Sequence, residues 1–213
     1  FQRTLRLPDN GETHHLPPGL GKFPLRHIED FDLGENNHLK KRGGVIMPLY
    51  QADALWLNFE SLNVTGEEDY PIAVKIGTGK VCAVSGDDWS ASLNRDPQDY
   101  IVVPEQPWLD GYNVGQDTIK QFVAAPLGQG YTVEEQIKSG STVGGLQIQV
   151  FPMKREFYDF LNQPVAFDED LCLRFSDDAE LAISNKFEMG LSAGGSMHQE
   201  IYEDPHSFDA WDL

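Results

Sequence analysis

Positive charge is scarce in this sequence. Its 213 residues carry 16 Lys and Arg against 34 Asp and Glu, a formal charge of −18. A surface that tracks phosphates needs clustered cations, and the one basic cluster, Lys40-Lys41-Arg42, is too short. Nucleic acid is therefore not an expected partner, and anionic lipid is disfavoured for the same reason. Long apolar runs are also missing: no stretch approaches the roughly 18 residues of a membrane-spanning helix, so the chain reads as soluble, without a membrane. Its first residues, Phe1-Gln2-Arg3-Thr4-Leu5, show no charged start followed by an apolar run, and no secretory signal is expected. Cysteine is nearly absent. Cys82 and Cys172 are too few and too far apart for a disulfide framework or zinc knuckle, and they fit a reducing, cytoplasmic compartment.

Catalytic signatures are missing too. Gly77-Thr78-Gly79-Lys80-Val81 has neither the spacing nor the hydroxyl of a phosphate-cradling loop, and Cys82 stands where a dinucleotide fingerprint needs its third glycine. There is no Gly-x-Ser-x-Gly elbow and no His-Glu-x-x-His pair. No cofactor is implied.

What is present is enough apolar material for a core: 40% hydrophobic and 11% aromatic residues. The length suits a single domain spanning 1–213. Residues 1–40, with Pro8, Pro17, Pro18 and Pro24, read as an irregular N-terminal arm. The acidity is uneven. Residues 156–213 hold 14 acidic and 2 basic side chains, −12 of the −18, which makes this C-terminal portion a solvated layer or the face that meets a basic protein partner or a divalent cation.

Period-two alternation dominates, and the expected fold is mainly β with a few short helices, a β-sandwich or strongly bent antiparallel sheet. Strands are expected at 54–60, with Leu55, Leu57 and Phe59 inward, at 100–103, at 118–125 and at 146–150. Residues 72–76 and 81–85 read as a hairpin about Gly77-Thr78-Gly79-Lys80. Two further strands are expected at 171–175 and 181–187. Thr132 and Glu135 have capping-box spacing for a short helix, and Phe157, Phe160 and Leu161 form one apolar helical face over 154–161.

Three groupings are candidates for chemistry. In 105–112 the prolines Pro104 and Pro107 interrupt strand pairing, and an extended chain places Gln106, Trp108, Asp110 and Tyr112 on one side. An aromatic plate beside an amide and a carboxylate suits a carbohydrate or other polar small molecule. The competing reading has Trp108 and Leu109 plugging the core while Asp110 caps the turn. Trp56, on the polar face of its strand, and Gln121 are candidate neighbours of this site. The second grouping is Glu12 with His14 and His198 with Glu200, candidate metal ligands for a hydrolase or metal-dependent enzyme, against a surface or core role for the same side chains. The third is acidic: 30–36, 168–170, Glu134 with Glu135, and Glu200 with Asp204, either oxygen ligands and paired carboxylates or solvated loop. Asn63-Val64-Thr65 has the form of a glycosylation acceptor.

The stretch Gln98-Asp99-Tyr100 through Pro107-Trp108-Leu109-Asp110-Gly111, followed by Gln121-Phe122-Val123-Ala124-Ala125-Pro126-Leu127-Gly128, resembles a family of uncharacterised bacterial and fungal proteins. Pro18-Gly19-Leu20-Gly21, Met47-Pro48-Leu49-Tyr50-Gln51-Ala52, Gly144-Gly145-Leu146-Gln147-Ile148 and Gln199-Glu200-Ile201-Tyr202 are similar as well. The resemblance spans nearly the whole chain and implies one continuous domain. It carries no activity, cofactor or residue role. The sequence thus leads to a non-catalytic binding or interaction module, with the hydrolase or metal-dependent enzyme as the alternative.

Overall fold

The computed structural model describes residues 1–32, 40–41, 43–59, 70–115, 117–137, 144–163 and 191–213. In chain order these form β1 (Gln2–Thr4), β2 (Gly19–Lys22), β3 (Arg26–His27), β4 (Val45–Ile46), β5 (Ala54–Asn58), β6 (Ile72–Thr78), β7 (Val81–Cys82) and β8 (Ile101–Val103). There follow β9 (Trp108–Leu109), β10 (Gly111–Gly115), β11 (Thr118–Gln121), helix α1 (Val133–Ile137), β12 (Leu146–Pro152), helix α2 (Arg155–Leu161) and β13 (Leu191–His198). The strands lie in several antiparallel sheets, ordered β2-β1-β5-β9, β10-β11-β13 and β12-β6-β7 with β8 also on β6, and β3-β4. The mainly β reading therefore holds, and no barrel closes among the described residues. The strands expected at 171–175 and 181–187, the acidic cluster at 168–170, Cys172 and the triplet at 63–65 lie outside the described residues.

β6 is the wall between two cores. Its even residues Val74 and Ile76 join Ile101, Val103, Leu57 and Leu109 on one side, while Ala73 joins Tyr100, Val102, Phe151 and Trp211 on the other. Each fully buried Val, Leu or Ile contributes about 1.5–3 kcal/mol of burial, so a strand buried on both faces anchors the fold. The hairpin forms with a tighter turn, Thr78 pairing with Val81 and leaving Gly79 and Lys80 in the loop, but its second arm ends at Cys82 and residues 83–85, expected as strand, are turn. Lys75 is fully buried on the same face of this strand as Ala73. Gly77 keeps that face close to Trp89, since a Cβ would stand 2.5 Å from the indole Cε3.

β5 follows its pattern, with Leu55 and Leu57 buried. β12 pairs with β6 over its whole length. The capping box forms: Thr132 Oγ1 donates to Glu135 Oε2 at 2.7 Å, and the Glu135 N–H donates to Thr132 Oγ1 at 3.3 Å. The N-terminal arm is partly regular. β1 enters the sheet between β2 and β5, and Thr13 makes a parallel bridge to Ser196.

Candidate functional site

The side chains of 105–112 do not converge on one face of a site. Gln106 is buried; its Nε2 donates to the Glu200 carbonyl at 3.2 Å and its Oε1 accepts from the Tyr202 N–H at 3.1 Å. Trp108 is 44% exposed and Leu109 is buried, so Leu109 alone plugs the core. Tyr112 is half-buried, its hydroxyl 2.5 Å from Thr78 Oγ1 and its ring edge-on to Phe122. Trp56 packs with Ile119, Met197, Leu7 and Leu16, its indole N–H enclosed without a partner among the described residues. Gln121 is fully buried, donating to the Leu5 carbonyl at 2.9 Å and accepting from the Leu7 N–H at 2.7 Å.

Gln106 and Gln121 share this geometry with two more glutamines. Gln98 donates to the Tyr202 carbonyl and accepts from the Asp204 N–H. Gln199 donates to the Trp108 carbonyl and accepts from the Asp110 N–H. In all four, one amide spans the C=O of residue i and the N–H of residue i+2, the two groups that one residue of a parallel neighbouring strand would engage. The amides thus replace a strand neighbour and hold the extended segments 5–7, 108–110 and 200–204 against the body. Buried backbone groups must be paired somewhere, and here a side chain does it.

Asp110 is buried, and its Oδ1 has no hydrogen-bond partner among the described residues. Burial raises its carboxyl well above the usual range, so it favours the neutral acid. Asp204 anchors the C-terminal segment: its Oδ2 accepts from the Tyr100 hydroxyl at 2.6 Å and the Trp211 indole at 2.8 Å. Burial first, then the bond to Asp204, raises the Tyr100 phenol.

Lys75 beside Ser90 is the pairing most suggestive of catalysis, since a neutral lysine can activate a serine hydroxyl. Here Lys75 Nζ donates to Ser90 Oγ at 2.8 Å, to the Ser92 carbonyl at 2.6 Å and to Asp99 Oδ2. Its three protons are committed to these acceptors. Asp99 Oδ1 in turn accepts from the Asn94 N–H at 2.9 Å. The arrangement is a buried ion pair, with no lone pair to offer.

The histidine grouping is brought near itself by the bridge between Thr13 and Ser196. His14 Nε2 lies 2.8 Å from Asn10 Oδ1, and Glu12 Oε2 accepts from Asn10 Nδ2. His198 pairs in register with Thr118, and Glu200 is exposed. Among the described residues no group of three His, Cys, Asp or Glu side chains could hold a metal ion. Among them, too, no helix is long and apolar enough to cross a membrane.

A cleft of about 330 Å³ opens instead between the turn before β5 and the chain after β11. Gln51 and Ala52 form one wall and Val123 to Pro126 another, with Arg6, Tyr131 and Gln136 completing it. Backbone bonds set the width: the Ala52 N–H donates to the Ala124 carbonyl and the Ala124 N–H to the Asp53 carbonyl, each at 2.8 Å. Ala52 adopts φ +70°, a left-handed conformation costing a non-glycine residue on the order of 1 kcal/mol or more. Arg6 is exposed and makes no ion pair among the described residues. Arg6, Tyr131 and Gln136 bear no sequence signal as a group, since they come from distant parts of the chain. Protein-family models, curated proteins and solved structures give no match to this chain.

Proposed function

We propose that the protein is a non-catalytic binding module whose ligand is a small polar anion, such as a sugar acid or a short dicarboxylate, held in the Arg6 cleft. The observation that carries this reading is an unpaired guanidinium on the wall of a concave site in a protein of charge −18. A cation left without a carboxylate amid such acidity is available to a ligand, and a guanidinium grips a carboxylate through two parallel hydrogen bonds. The Gln51 and Gln136 amides add neutral hydrogen-bonding groups, and Tyr131 offers a ring and a hydroxyl. The volume suits a compact ligand. The strained backbone of Ala52 on the same wall supports a site whose shape is held for use.

The test is a thermal-shift panel of succinate, citrate, galacturonate and neutral sugars on the parent, Arg6→Ala and Trp108→Ala. Acids that stabilise the parent and the Trp108 variant but not the Arg6 variant support the reading. Stabilisation by neutral glycans that is lost with Trp108 supports the alternative of a glycan platform at the exposed indole.

A further inference from the structure

We propose that a second cleft, about 550 Å³ between α2 and the C-terminal segment, binds an apolar ligand carrying a cationic head. Its lining is mostly carbon: Met153, Phe157, Phe160 and Leu161 on one side, Pro205 and Ala210 on the other. α2 buries none of its residues, and Phe160 and Leu161 are 68% and 52% exposed. Two adjacent large apolar side chains beside a concave apolar space give a ligand's hydrocarbon body about 25 cal/mol per Å² of area removed from water.

The polar groups around this carbon surface select the head. Glu156 is on the wall. His206 also lines it; its Nε2 is enclosed, 3.3 Å from Glu105 Oε1 but off the hydrogen-bonding direction, and its ring is edge-on to Trp211. Neither nearby cation lines the cleft: Arg155 pairs with Asp159 at 2.7 Å, and Lys154 Nζ is turned to the Asp209 carbonyl at 2.9 Å. An anionic head would therefore meet the Glu156 carboxylate with no cation on the lining, whereas an ammonium meets Glu156 beside the aromatic rings of Phe157 and Phe160. The selectivity is opposite to that of the Arg6 cleft and rests on different residues.

Titration calorimetry of the full chain with 4-phenylbutylamine, 4-phenylbutanol and 4-phenylbutyrate compares three heads on one body. The amine should bind most tightly and the carboxylate most weakly. Phe160→Ala should weaken all three, and Glu156→Gln should cost the amine about threefold, bringing it to the alcohol's level. Both side chains are exposed, and unchanged circular dichroism verifies the fold. Arg6→Ala should leave the amine titration unchanged, which separates this proposal from the anion site. Absence of binding at millimolar amine, a carboxylate that binds as well as the amine, or indifference to Phe160→Ala would overturn it.

Discussion

Lys75 and Asp99 are ions held inside the protein, and the consequence of losing one depends on what is left behind. Lys75→Met leaves a buried carboxylate with the Asn94 N–H as its remaining partner, and about 3–5 kcal/mol of stability should be lost by urea denaturation. Pairing it with Asp99→Asn should recover much of that loss, because no charge is then stranded. A loss below about 1 kcal/mol for Lys75→Met would mean that the pair is effectively solvated. Asp110 has the opposite character, a carboxyl that burial keeps neutral. Above about pH 4 the unfolded chain releases this proton while the native state retains it, so native protein binds more protons and stability falls as pH rises from there toward the raised native value. Asp110→Asn removes that fall: the urea midpoint should change less between pH 4 and pH 7 than in the parent. An unchanged pH dependence would contradict the neutral buried acid.

At the scale of elements, the glutamine amides decide how the extended segments are held. Gln106→Leu removes the bonds to the Glu200 carbonyl and the Tyr202 N–H, and because both residues are exposed the cost is about 0.5–1.5 kcal/mol for each bond. Hydrogen exchange should then quicken at the Tyr202 amide while the Leu7 amide, held by Gln121, keeps its protection. Equal acceleration at both would indicate global destabilisation instead of a released strap. The regular elements were legible because their signal is local. Leu55 and Leu57 alternate within β5, Leu146 to Val150 alternate within β12, and Thr132 with Glu135 sits three residues apart. The straps were not legible, since the residue that Gln121 holds lies more than 100 positions away and a glutamine's sequence neighbours say nothing about its amide. The same limit hid β1, whose place is set by partners and not by its own three residues. It also made Gln106 and Gln121 look like ligand groups when their hydrogen-bonding capacity is used within the protein. Lys75 shows the same limit: its own strand does not reveal its burial, which depends on Asp99, 24 positions along the chain.

Across the whole molecule, the charge of −18 shapes both clefts. It disfavours anions generally, so an anion that binds must find a local cation, and Arg6 is exposed at such a place. It favours cations at the α2 cleft, where Glu156 adds to the general field. Two-thirds of the excess lies in 156–213, and residues 164–190 of that stretch are outside the described part, so the docking of a basic protein there remains a separate proposal, read by its salt dependence. The most direct measurement for the central claim is thermal unfolding of the parent and Arg6→Ala at matched ionic strength, titrated with the tightest acid from the panel. At 100 times the dissociation constant a ligand adds about 2.7 kcal/mol to native stability, so the parent's Tm should rise by several degrees with saturation. The Arg6→Ala protein should show little or no rise. Equal shifts in both proteins, or no shift with any acid, would contradict the account.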